Sequence, residues 1–149
     1  MKISGKKLLI SLVTVIVASI ISYKFPLENY IALIPVSSFY AYSNWNWYPY
    51  WRIAFINSFI WLLSAIGYVL GYELAFCFMI LSSIPFVIFH YLSLGQVVKY
   101  GVKINIAPFL FFEGKYSDMH LDLGQVVAVL TIIASIVEVV KRRHALKVT

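Results

Sequence analysis

Charged residues divide the chain into long uncharged stretches over 8–23, 29–51, 53–72, 74–98 and 123–137. A helix needs about 20 mostly apolar residues to cross a bilayer. Four of the stretches meet that requirement and predict spanning helices over 6–23, 52–70, 74–94 and 121–140, each roughly 27 to 31 Å long at the helical rise. The first follows a basic start, Lys2, Lys6 and Lys7, which has the layout of a signal segment and is read as an uncleaved anchor. Between the second and third spans, Gly71-Tyr72-Glu73 leaves room only for a tight turn, so these two helices are expected to be antiparallel neighbours.

The stretch 29–51 is long enough to cross but has the wrong composition. It holds Pro35, Pro49, several Ser and Asn residues, and a dense aromatic run that includes Trp45, Trp47 and Trp51. Tryptophan and tyrosine concentrate at the headgroup level, where an amphipathic ring keeps one edge wet. Residues 24–51 are therefore read as an interfacial or re-entrant segment, with Trp45, Trp47 and Trp51 as interfacial anchors. A fifth span here is the alternative. Residues 95–120 are read the same way, because Pro108 interrupts the apolar run 104–112, which is too short to cross. The expected fold is an all-α integral membrane protein: a single domain, 1–149, forming a four-helix bundle with two aromatic-rich connections outside the cytoplasm.

Composition agrees with that class. Hydrophobic residues make up 62% of the chain and charged residues 12%, against about 25% charged in soluble domains. This excludes a water-soluble globule and a disordered chain. Cys77 is the one cysteine, so neither an internal disulfide nor a cysteine-based zinc site is available. The net charge is +6, but the bases flank spans and form no stripe, so no nucleic-acid partner is expected. Lys2, Lys6, Lys7, Lys141, Arg142, Arg143 and Lys147 fall on the side of the termini. Lys24, Arg52, Lys99, Lys103 and Lys115 fall on the other. The excess of Lys and Arg predicts a plasma-membrane protein with both termini cytoplasmic, and the basic flanks suit anionic headgroups.

Few residues can carry chemistry. Gly67, Gly71 and Ala75 recur every four residues, and Gly124 and Ala128 repeat the spacing in the last span; small residues let helix backbones approach closely, within the bundle or against a partner. Pro85 frees the Leu81 carbonyl, which Ser82 and Ser83 are placed to re-satisfy. Glu138 precedes Lys141 and Arg142 by three and four residues, the favourable order for a local ion pair. Toward the outer face, His90, Glu113, Asp118, His120 and Asp122 supply the imidazole and carboxylate groups that bind copper, iron or zinc. His90 and His120 are also the pair that could face a haem. The geometry of 118–122 decides the matter. An extended segment puts 118, 120 and 122 on one side. A helix turns His120 away from both aspartates, and Ser117 as N-cap favours the helix. Ordinary capping then accounts for the acids, and no cofactor is expected beyond a possible metal ion.

The chain is thus expected to be a non-catalytic accessory or structural subunit of a multi-subunit membrane complex, such as a respiratory, oxidoreductase or monooxygenase assembly, with the lipid bilayer and other membrane subunits as partners. Two alternatives remain at this point. One is a membrane redox protein with a metal site at His90 and His120, and the other is a small transporter or channel using Asn57 or Glu138.

Overall fold

The computed structural model describes residues 4–25, 45–113 and 118–148. Four helices dominate: α1 (Gly5–Lys24), α2 (Tyr48–Val69), α3 (Glu73–Val98) and α4 (Leu123–Val148). Each is long and apolar enough to cross a membrane, over Leu123–Lys141 in the case of α4. Between α3 and α4 lie three short strands, β1 (Ile104–Ala107), β2 (Leu110–Glu113) and β3 (Asp118–Leu121), forming an antiparallel meander in sequence order.

The meander corrects the all-α expectation for 95–120. Residues 95–98 continue α3, because Gly95 sits in open space and does not end the helix. The chain then turns through Gly101, whose positive φ of 85° suits glycine. Pro108 does not break a surface helix; it opens the two-residue turn between β1 and β2. Two four-residue runs rich in Ile, Leu and Phe on either side of a proline pair well as a hairpin. Phe109 completes that turn at a φ of +61°, a conformation that costs a non-glycine residue about 1–2 kcal/mol.

Helix order follows from contacts at the two ends of the bundle. Lys7 of α1 forms an ion pair with Glu73 at the start of α3, so the N-terminus and the α2–α3 turn share one end. At the other end, Arg52 Nη2 donates to the Tyr23 carbonyl at 2.8 Å, and Trp45 stacks on Tyr100. Residues 26–44 lie outside the described structure. Most of the segment 24–51, read from sequence as interfacial or re-entrant with a fifth span as the alternative, therefore lies outside the described residues.

Burial is inverted relative to a soluble domain. The largest fully buried side chains are Asn57, Asp122, Ser11 and Ser82, while Leu63, Ile66, Ile132 and Val139 are each at least half exposed. Water would favour the opposite arrangement. Hydroxyls inside the bundle bond to their own helix: Ser11 to the Lys7 carbonyl, Ser82 to Phe78 and Thr131 to Val127. Neighbouring backbones can then approach without stranding a polar group. Ser82 and Ser83 reach Phe78, Met79 and Ile80 rather than Leu81, so they do not repair the bond that Pro85 removes.

Asn57 Nδ2 joins α2 to α1 at Ser19, 2.9 Å away. Trp61 Nε1 joins α2 to α4 at Thr131 Oγ1, 2.8 Å away. Tyr68 reaches Glu138 one further step along the same two helices. The α2–α3 pair is the most extensively packed, around Ala54, Phe76, Met79 and Phe86. The two helices come close at Gly67 against Ala75, where an added Cβ would come within 2.9 Å of the alanine methyl. Gly71 then turns the chain at a φ of +89°. Gly67→Leu should therefore destabilise the protein by about 1–3 kcal/mol. Gly95→Ala, in open space, should leave stability unchanged or slightly raised. Denaturant unfolding in detergent, followed by tryptophan fluorescence, checks both.

Candidate functional site

Asp122 ends the meander and begins α4. Its backbone N–H donates to the Phe109 carbonyl at 2.9 Å, and its own carbonyl accepts from the Val126 N–H, the first bond of the helix. Its side chain caps the helix, with Oδ1 accepting the Gln125 N–H at 3.1 Å. Gln125 returns the contact through Nε2 to Oδ2 at 2.9 Å. An acid three residues before a glutamine, ahead of an apolar run, is a capping-box pattern. It moves the cap from Ser117, which lies outside the described residues, to Asp122.

The same carboxylate is gripped from α3. Tyr91 donates its hydroxyl to Oδ2 at 2.9 Å. His90 places Nε2 3.3 Å from Oδ1, off the line of a hydrogen bond. Gly124 makes this possible: a Cβ there would come within 2.7 Å of the His90 ring, 3.1 Å of the Tyr91 ring and 3.1 Å of Asp122 Oδ1. Its role is to let two consecutive aromatic rings of α3 reach the first turn of α4. Gln125 extends the network into the sheet, since Nε2 donates to the Ala107 carbonyl and Oε1 accepts from the Phe109 N–H. One glutamine thereby holds both sides of the strained β1–β2 turn.

Asp122 is fully buried. Burial pushes its carboxyl up, but donors from Gln125 and Tyr91, with His90 nearby, outweigh that, and the pKa lies below its usual 3.8. With three donors and an imidazole around two oxygens, the carboxylate has little capacity left for a further ligand. The arrangement fastens two helices and a sheet and fixes the anion in place.

The five candidate ligands divide. His90 and Asp122 come together. Asp118 and His120 lie exposed on β3, where His120 stacks on Phe111. Glu113 is the backbone partner of Asp118 across β2 and β3. The segment 118–121 is a strand rather than the expected helical turn, yet Asp122 does not join 118 and 120, because the chain has already turned into α4. Among the described residues no group of three His, Cys, Asp or Glu side chains is arranged to hold a metal ion. Tyr91 and Gln125 were missed from sequence. Gln125 was detectable through its spacing from Asp122; Tyr91 carried no signal, because its partner lies 31 residues away.

The remaining candidates have other surroundings. Gly67 and Ala75 meet inside the α2–α3 hairpin, and Gly71 forms its turn. Ala128 lines an open groove between α3 and α4. Trp45 and Trp47 contact each other edge to face at 5.5 Å, and Trp51 stacks between Tyr48 and Phe55. With Phe59 next in line, the rings form a ladder running from the sheet end along the outside of α2.

Asp122→Ala leaves the Tyr91 and Gln125 donors without their acceptor and should cost about 2–4 kcal/mol. A carboxyl with a depressed folded pKa contributes stability that is complete above its unfolded value and lost as pH falls through the folded one. The thermal midpoint in detergent should therefore fall below about pH 4 more steeply in the native protein than in Asp122→Asn.

No protein family matches this chain, and no curated protein or solved structure matches it either.

Proposed function

We propose that this chain is a multi-pass protein of the cell membrane, with both termini cytoplasmic, that serves as a non-catalytic packing subunit of a larger membrane complex. The observation carrying this reading is how the ionisable groups are used. Asp122, the fully buried acid, is surrounded by Tyr91, Gln125 and His90 and ties elements together. Glu138 accepts from Tyr68 between two helices, and Glu73 binds Lys7. Each polar contact fastens the fold. The exterior, by contrast, offers apolar and aromatic area well beyond what the four helices cover among themselves.

The sheet end supports a gripping role. Trp45, Tyr100, Phe109 and Met119 are all exposed there. Phe109 is presented by a turn whose backbone strain Gln125 offsets with two hydrogen bonds. A rigid, exposed ring on a fixed turn is a good interface anchor, since little rotamer and loop entropy remains to be lost on binding. With the termini cytoplasmic, the partner meets this surface on the opposite side of the membrane.

Purification in mild detergent at native expression, with quantitative mass spectrometry and elemental analysis of the same sample, tests the reading. The expected result is one set of membrane proteins recovered in fixed ratio with the chain, and lost from Phe109→Ser without loss of the chain itself. A monodisperse isolated chain carrying one equivalent of metal would overturn the reading in favour of a redox site.

A further inference from the structure

Among the described residues an open groove of about 670 Å³ runs between α3 and α4. Its walls include Ser83, Ile84 and Val87 on one side and Thr131, Ile136 and Val140 on the other. Its polar atoms are already used. Ser83 bonds to the Ile80 carbonyl, Thr131 to Val127 and Ser135 to Thr131, and Thr131 also accepts from Trp61. Nothing along its length asks a ligand for a hydrogen bond, so the occupant of the groove is apolar.

At one end the lining changes character and becomes Arg143. This guanidinium is exposed and takes part in no ion pair among the described residues. It stands beside Lys141 and His144 at the basic end of α4. From Ala128 to Arg143 the groove follows α4 for about 22 Å, which exceeds one leaflet's share of a hydrocarbon core about 30 Å thick. The second groove, between α1 and α3, holds about 310 Å³ and has no charged residue in its lining.

From this combination we infer that the α3–α4 groove is a binding site for one anionic phospholipid of the cytoplasmic leaflet, with an acyl chain along the groove and the phosphate against Arg143. Charge complementarity fixes which end carries the headgroup, and the satisfied hydroxyls fix which part lies within. The assignment rests on the membrane placement proposed above but not on the existence of a protein partner.

Native mass spectrometry of the full chain tests it, after incubation in detergent with equimolar phosphatidylglycerol and phosphatidylcholine of identical acyl chains. The chain should retain one phosphatidylglycerol at about fivefold preference. Arg143→Gln should remove the preference, Arg143→Lys should keep it, and Ser135→Leu, which fills the groove, should reduce retention of either lipid. Excess glycerol 3-phosphate should leave the bound lipid in place. Equal retention of both headgroups, a preference that survives Arg143→Gln, or displacement by glycerol 3-phosphate would each overturn the assignment. A cross-link from Ser135→Cys to another polypeptide would give the groove to a protein and overturn it as well. A chain that is monodisperse without detergent and retains neither lipid would instead overturn the membrane placement itself.

Discussion

Hydrocarbon cannot hydrogen-bond, and the distribution of polar and apolar side chains in this chain is the one that constraint favours. A donor or acceptor placed in lipid without a partner costs several kcal/mol. Polar side chains must therefore face inward and find partners there, while leucine, isoleucine and valine lose nothing by facing outward. Asn57, Ser82 and Thr131 sit inside, while Leu63 and Ile132 face out. Association between such helices draws little from the hydrophobic effect, since a lipid tail is as apolar as a leucine side chain. Close packing and a few directed hydrogen bonds must hold the bundle: small residues allow the approach of Gly67 to Ala75 and of Gly124 to His90 and Tyr91, and Asn57 and Trp61 supply bonds between helices.

The Asp122 site is where this constraint meets a different one. The meander has edges, and its turn has a strained phenylalanine, neither of which belongs in lipid. Asp122 and Gln125 connect the two regimes. The aspartate caps the helix and receives Tyr91, and the glutamine satisfies an acceptor and a donor of the turn. Because the carboxylate is buried and gripped from both sides, its charge is tied to the correct docking of α3 on α4. Breaking such a network by removing one partner costs far more than its assembly contributes.

Much of the helical layer was legible in the sequence, because it depends on a local property summed over about twenty residues. The spans expected over 52–70 and 74–94 appear as Tyr48–Val69 and Glu73–Val98, with boundaries shifted by a few residues. The short turn between them was legible from Gly71 alone. The meander was not. Its four-residue strands are too short for a periodic signal, and Pro108 reads equally as a broken helix or as the first residue of a turn. Asp122 was legible as a candidate but for the wrong company. A one-dimensional reading grouped it with its sequence neighbours Asp118 and His120, whereas the fold pairs it with His90 and Tyr91, about 30 residues upstream. The cap was visible as Asp122 followed by Gln125, and Ser117 was preferred only because helix was assumed to begin earlier.

The placement of α4 explains why a groove exists at all. α3 packs against α2, with α4 on one side and α1 on another. α4 is fastened at its start by the Asp122 network, and along α2 by Trp61 to Thr131 and Tyr68 to Glu138, two pairs each separated by 70 residues. That constant separation means α2 and α4 run parallel and in register. Both bonds draw α4 toward α2, whereas Ile84 and Ile88 of α3 face away from it and line the grooves on either side. An apolar ridge flanked by two helices that are pinned elsewhere cannot be covered by side chains alone. The open space beside it follows from where the polar pins lie.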